Sequence, residues 1–310
     1  MLSRVASNLY WLSRYIERSD GILRMLKIHY ASSQDALRDF SWRPVIKIYS
    51  SLNEEQISEI EFNSREVLLY IFSGKDNQNS ILNIITLARE NARSVQDHIP
   101  KDLWQCLNEY YHLVKDKRMI HSLKKDDPTS ALDELIKQVM LYYGIAEITM
   151  ERGEGRSFMN IGKYLERSIQ SADILDIKFS SANTSDLLTD TSYLKYLLLS
   201  LGAYDLYLKT YRQGFEPVNI LEMVVLNNDF PRSVLYSVNN INRYFERLKS
   251  NKDILEFKEL SFLIGRLRSM IQYSTVNSIM EQGLHLYLGS IKKELYTIGN
   301  SLNVHYFAYS

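Results

Sequence analysis

The chain has 310 residues, 37 lysines and arginines against 37 aspartates and glutamates, and 45% hydrophobic residues. A chain of that length and composition buries a core without staples, and its zero net charge argues against a polyanion partner such as nucleic acid. The single cysteine, Cys106, excludes an intrachain disulfide framework and a cysteine-based zinc site, and fits a reducing, cytoplasmic compartment.

Hydrophobic residues recur in steps of three and four, and the 12 glycines and 5 prolines sit at borders, so the expected fold class is all-α. No convincing alternating strand and no Asn-Gly or Asp-Gly hairpin turn interrupts the pattern. The first helix is predicted over 2–31. Ser3, Arg4, Ser7, Ser13 and Arg14, with no acid before Glu17, resemble an amphipathic presequence. A core helix is the favoured reading, because the same pattern recurs inside the chain. Val5, Leu9, Leu12, Ile16, Ser19, Leu23 and Leu26 form its seam. Helices are expected next over 43–50, 64–73, 77–98 and 101–118. Asp116 to Asp127 is the most polar connector and is expected to be an exposed loop. Asp127-Pro128 reads as N-cap and first helical position of a helix over 129–150. Helices over 155–178 and 191–213 follow. Glu216-Pro217 and Phe230-Pro231 start helices over 217–227 and 231–250, and long helices over 254–273 and 276–307 close the chain. The charge-free run Leu295 to Ser310 is too polar and too short to span a bilayer, so no membrane segment is expected.

The chain repeats itself. Leu9-Tyr-Trp-Leu-Ser-Arg-Tyr-Ile-Glu-Arg-Ser19 aligns with Phe158-Met-Asn-Ile-Gly-Lys-Tyr-Leu-Glu-Arg-Ser168, with Tyr15/Tyr164, Glu17/Glu166, Arg18/Arg167 and Ser19/Ser168 identical. Asn79 to Val95 aligns with Val218 to Val234, matching Arg93/Arg232, Ser94/Ser233 and Val95/Val234. The expected architecture is one domain over 1–310: a multi-helix bundle built by internal duplication with pseudo-twofold symmetry. The repeats cover roughly 1–122 and 128–250, and the helices over 254–307 follow.

Glu17 and Arg18 point about 100° apart on a helix, so each needs a partner elsewhere. Glu17 borders the seam, with Ser13 and Gly21 one turn away on either side; Gly162 holds the place before Glu166. Small neighbours let a helix or a ligand approach the carboxylate. Arg89 and Arg93 share a helix face, and Glu90 lies within reach of Arg93. The expectation is a polar cluster of Glu17, Glu166, Arg93 and Arg232, with Arg18, Arg167, Arg89 and Glu90 around it. It reads either as an ion-pair network that fixes register or as an arginine-lined pocket for a carboxylate or phosphate.

Leu9-Tyr-Trp-Leu-Ser-Arg-Tyr-Ile-Glu-Arg, Trp42-Arg-Pro, Ala88-Arg-Glu-Asn-Ala-Arg, Thr149-Met-Glu-Arg-Gly-Glu-Gly and Phe230-Pro-Arg-Ser together resemble the bacterial alpha-E family, an all-helical domain named for its Glu-Arg motif. The resemblance spans nearly the whole chain. Its matching positions include Glu17, Arg18, Arg89, Glu90, Asn91, Arg93, Arg152, Glu154, Gly155, Glu166, Arg167, Pro231, Arg232 and Ser233. Asn227-Asn-Asp229 stands where the family has Asp-Pro, which leaves the local turn open. The resemblance implies association with circularly permuted ATP-grasp proteins and transglutaminase-like proteins, and so with amide or peptide chemistry as enzyme or accessory.

Arg152-Gly-Glu-Gly-Arg156 reads as a helix–helix turn, or as a flexible loop that holds Arg152, Glu154 or Arg156 over the cluster or binds an anion at the next helix N-terminus. No phosphate loop, HExxH or Gly-x-Ser-x-Gly elbow occurs. Glu109-Tyr-Tyr-His112 supplies one half of a helical di-iron pattern and Glu281 with His285 has the wrong spacing, so no metal or other cofactor is expected. The six histidines read as surface or capping residues, and Cys106 as a buried, inert thiol. The 22 tyrosines, five of them between Tyr193 and Tyr211, read as core packing or as a protein-binding surface. Two functions follow. One is a non-catalytic interaction subunit of an ATP-grasp/transglutaminase-type system. The other is an enzyme acting on an amino-acid or peptide amide, with Glu17 or Glu166 as general base or acid and Arg18, Arg89, Glu90, Arg93, Arg152, Glu154, Arg167 and Arg232 around the ligand.

Overall fold

Helix-forming periodicity dominates the sequence, and the computed structural model is built from helices, with no strand among the described residues: 1–35, 40–182, 190–212, 214–248 and 254–307. The chain divides into two compact units, Trp11–Glu151 and Met1–Tyr10 with Arg152–Ser310.

The first unit takes most of α1 (Ser3–Gln34), then α2 (Arg43–Tyr49), α3 (Glu54–Ile60), α4 (Ser64–Ser73), α5 (Ile81–Arg93), α6 (Lys101–Lys115), α7 (Lys117–Lys125) and α8 (Pro128–Thr149). The seam residues Leu12, Ile16, Ser19, Leu23 and Leu26 are all fully buried. Helix α6 packs on α5 and α8, and α4 on α5 and α7. The Trp42-Arg-Pro motif fastens the short helices. Pro44 lies in the first turn of α2, and Trp42 donates its indole N–H to Ser64 at 2.9 Å. Arg43 holds Glu61 at 2.8 Å and reaches Glu54 and Ser58 on α3.

The second unit contains α9 (Glu154–Ala182), α10 (Thr191–Ser200), α11 (Tyr204–Thr210), α12 (Pro217–Leu221), α13 (Val234–Glu246), α14 (Ile254–Gln272), α15 (Val276–Gln282) and α16 (Leu284–Leu302). Helix α13 packs on α9 and α14, and α16 on both α9 and α14. Phe245 stacks on Phe257 at 4.7 Å in the core. The start of α1 belongs here: a Cβ at Gly162 would overlap the Tyr10 carbonyl, so glycine permits the close approach of α9 to the first residues of α1. The small residue before Glu166 thus admits a helix.

Several expected elements differ. The connector Asp116 to Asp127 is helix α7, not an exposed loop: Met119 and Leu123 put one apolar stripe inward and Asp116 caps its first turn. Helix α3 was not expected; Ile57 is its single buried residue, too little periodicity to read, and an Asn53–Gln56 capping box starts it. The helix expected over 77–98 starts at Ile81, after its cap Ser80. The helix expected over 191–213 breaks at Gly202, with φ +63°. The helix expected over 276–307 breaks at Gly283, with φ +92°; only glycine enters that region freely. Pro231 is not a first helical position; Ser233 caps α13 instead. Ala308, Tyr309, Ser310 and Gln213 lie outside the described residues. Asp127-Pro128 and Glu216-Pro217 start helices as expected.

Candidate functional site

Glu17 follows Ile16 on the seam of α1, and its side chain turns into the first unit, where it is fully buried. A carboxylate there requires a donor. Tyr143 on α8 gives its hydroxyl to Glu17 Oε2 at 2.5 Å. The next residue points elsewhere, as helix geometry demands: Arg18 donates to the Asn79 side-chain oxygen at 3.1 Å. Asn79 immediately precedes Ser80, whose side chain accepts the Asn83 N–H and caps α5.

Helix α5 carries the arginine motif. Arg89 donates to Asn108 at 2.8 Å, and its guanidinium lies 4.7 Å from the Tyr111 ring and 5.5 Å from that of Trp104. Arg93 pairs with Glu90 at 2.7 Å, three residues back, and is 59% exposed. The carboxylate partner of Arg93 is therefore on its own helix, and not the buried Glu17. The Arg93 contact holds Glu90 below the usual carboxylate range.

The second unit holds the other Glu-Arg pair. Glu166 is buried on α9. Arg167 lies 5.4 Å from the Tyr164 ring and donates to the Pro231 carbonyl at 3.2 Å, two residues before the cap Ser233. Ser171 donates to the Arg232 carbonyl at 2.8 Å, and the Arg232 stem passes 3.6 Å from the Cβ position of Gly202. The open turn at Asn227 closes through the Asn227 side chain, which accepts the N–H groups of Asp229 and Phe230 at 2.8 Å each. Arg152 is exposed at the turn before α9, and Glu154, in the first turn, pairs with the Met1 amine at 2.8 Å. Glu154 also lines a cavity of about 40 Å³ with Phe158, Leu248 and Tyr306.

Sequence reasoning missed a polar seam between α9 and α16. Lys292 binds Asp176 at 2.9 Å and Asp173 at 3.1 Å, and His285 meets Asp176 at 2.6 Å. Asp176 is buried, whereas the His285 side chain is 75% exposed. Burial pushes Asp173 upward, aided by Asp176 and Glu166 and opposed by Lys292. Burial works against the Lys292 charge, but its two carboxylate partners hold it above its usual value. The signal was present as spacing, Asp173/Asp176 on one face and His285/Lys292 two turns apart on another; pairing those faces needed the fold. Lys178, also buried on α9, is pushed down to about 8 by burial. His29 is buried too, against its expected surface place: its Nε2 lies 3.0 Å from the Ser41 carbonyl, and Phe40 and Trp42 flank the ring. Cys106 is buried, and its thiol is pushed up to about 11 by burial. Tyr207 is core, while Tyr193 and Tyr211 hydrogen-bond to Lys178 and Glu222. Among the described residues no group of three or more His, Cys, Asp or Glu side chains could hold a metal ion, and no helix is long and apolar enough to cross a membrane.

A family model described as a predicted alpha-helical domain with a conserved ER motif, Alpha-E, matches residues 1–307. The chain belongs to the Alpha-E family, and Glu17-Arg18 and Glu166-Arg167 are pairs of the kind that description names. Uncharacterized proteins of Mycobacterium bovis and Mycobacterium tuberculosis are each 22% identical over 257 residues, 77% of this chain and 29% of theirs. A protein of a second Mycobacterium tuberculosis strain, also uncharacterized, is 21% identical over the same share. The chain thus spans less than a third of the length of these curated relatives. No solved structure matches it.

Proposed function

We propose that the chain is a helical accessory and interaction subunit of an ATP-grasp/transglutaminase-type system that forms peptide or amide bonds, working in the cytoplasm beside an ATP-grasp-type or transglutaminase-like protein. The carrying observation is the use made of the motif residues. Glu17 is fully buried beneath Tyr143, and Arg18 and Arg167 each hold the loop ahead of a serine-capped helix. Side chains spent in this way shape a scaffold. In the relatives the matching segment is 29% of a longer polypeptide, joined covalently to other sequence. Purification of the tagged chain from its host under native conditions, with cross-linking, is expected to recover an ATP-grasp-type or transglutaminase-like protein. Recovery of the chain alone contradicts the reading.

The same reading takes the scaffold as a duplication with pseudo-twofold symmetry, in a register set by the serine caps. Helices α5 and α13 are 13 residues each, start after the fully buried Ser80 and Ser233, and follow a loop held by Arg18 or Arg167. An ion pair joins α1 to α8 through Lys27 and Asp133 at 2.6 Å, and α9 to α16 through Asp176 and Lys292 with the charges exchanged. Aligning Asn79–Val95 with Val218–Val234 matches Arg93 at the end of α5 to Arg232 in the loop before α13, a difference in local structure that the cap register avoids. The proposed repeats are therefore 1–151 and 152–307, and α14 to α16 belong to the second as α6 to α8 belong to the first.

A further inference from the structure

We propose that His285 is a phosphoryl-accepting nucleophile, served by an acyl phosphate donor. Three features of the second unit converge on its ring. First, the Nδ1 side is occupied by Asp176 at 2.6 Å, the ring's one hydrogen-bond partner among the described residues, so the neutral imidazole carries its proton on Nδ1 and offers the Nε2 lone pair. Second, Asp176 is itself held: it is buried, and Lys292 binds its other oxygen at 2.9 Å. The ring is thereby fixed while its side chain stays 75% exposed. Third, α16 is uncrowded one turn further along, where Gly289 has nothing within 4 Å of its Cβ position.

In the step, the Nε2 lone pair attacks phosphorus. The N–P bond forms, the P–O bond to the acyl carboxylate breaks, and its electron pair leaves with the carboxylate. No proton moves, so the ring becomes a phosphorylated imidazolium. Its new positive charge faces the Asp176 carboxylate, which stabilises it more than the neutral ring. His285 also lies in the first turn of the 19-residue α16, after Gly283, which provides no side-chain cap. The partial positive charge of that helix end favours the negative charge of an added phosphoryl group.

Two small donors test this without any partner: acetyl phosphate, the acyl phosphate itself, and phosphoramidate, a general histidine phosphorylator. Tandem mass spectrometry under alkaline conditions is expected to place one acid-labile phosphoryl group on His285 with either donor. His285 is expected to react roughly tenfold or more faster than His121, whose side chain is 60% exposed but lies 3.8 Å from its acid, Asp126. His285→Gln should remove the label, and its exposed position leaves the fold intact. Asp176→Asn should slow His285 by a similar factor while leaving the His121 rate unchanged; the His285 to His121 ratio in the unaltered chain provides the test should that variant unfold. Equal rates at His285 and His121, or an undiminished acid-labile label in His285→Gln, overturns the proposal.

Discussion

Arg18 reaches Asn79 across 61 positions of sequence and donates to its side-chain oxygen at 3.1 Å, directly ahead of the residue that caps α5. Arg167 does comparable work ahead of α13, through the Pro231 carbonyl. The Glu-Arg pair is thus divided by helix geometry. The glutamate faces the core, and the arginine fastens a loop.

The caps at the ends of these loops should differ in cost. Ser80 accepts one backbone N–H, so Ser80→Ala is expected to destabilise the protein by about 1 kcal/mol. Ser233 accepts the Tyr236 N–H and also donates to the Asn227 carbonyl. Ser233→Ala should therefore cost roughly 1 kcal/mol more, because it also leaves a loop carbonyl without its donor. Chemical denaturation of the two variants reads the order directly.

Two glycines within helices should respond in opposite directions to the same substitution. Gly144 on α8 has open space at its Cβ position, so Gly144→Ala is expected to stabilise by about 0.5–1 kcal/mol. Gly162 faces the Tyr10 carbonyl, which is backbone and cannot swing aside. Gly162→Ala should destabilise by roughly 1–3 kcal/mol. Thermal unfolding of both variants checks the difference in sign.

Lys178 makes stability depend on pH in a definite direction. Burial lowers its amine from 10.5 to about 8, so between those values the unfolded chain binds more protons than the folded one. Stability contributed by this group therefore rises with pH across that window. The penalty for burying the charge is complete below the folded value and is gone above the unfolded one. Lys178→Met is expected to be the more stable chain at pH 7, by at most roughly 3 kcal/mol, with the advantage shrinking as pH rises. Buried tyrosines such as Tyr193, whose hydroxyl burial pushes upward, act in the opposite sense at high pH. The quantity to follow is thus the difference between the two chains over pH 7–10. A Lys178→Met chain no more stable at pH 7 would refute the assignment.

Much of this was legible in the residues. The seam of α1, the helix starts at Asp127-Pro128 and Glu216-Pro217, and the burial of Cys106 follow from spacing and composition. The breaks at Gly202 and Gly283 were not legible, because a glycine inside a periodic pattern signals a break only when its backbone turns left-handed. Helix α7 was hidden by its charges: Lys117, Arg118, Lys124 and Lys125 read as a solvated connector, while Met119 and Leu123 supply the buried stripe. Within the candidate site, the sequence singled out Glu17, Arg18, Glu166 and Arg167 but not their partners. Tyr143, Asn79 and Pro231 lie 126, 61 and 64 positions from Glu17, Arg18 and Arg167, and no local pattern links residues at that range.

If the Glu-Arg residues hold the scaffold together, thermal unfolding of Glu17→Gln and Glu166→Gln at neutral pH shows it most directly. Glutamine replaces an accepting oxygen with a donating amide in a buried position, at Glu17 within reach of the Tyr143 hydroxyl donor. Each variant is expected to melt at least about 3 °C below the parent chain. Folded variants that melt at the parent temperature or above it, as expected when a strained functional charge is removed, would contradict the account.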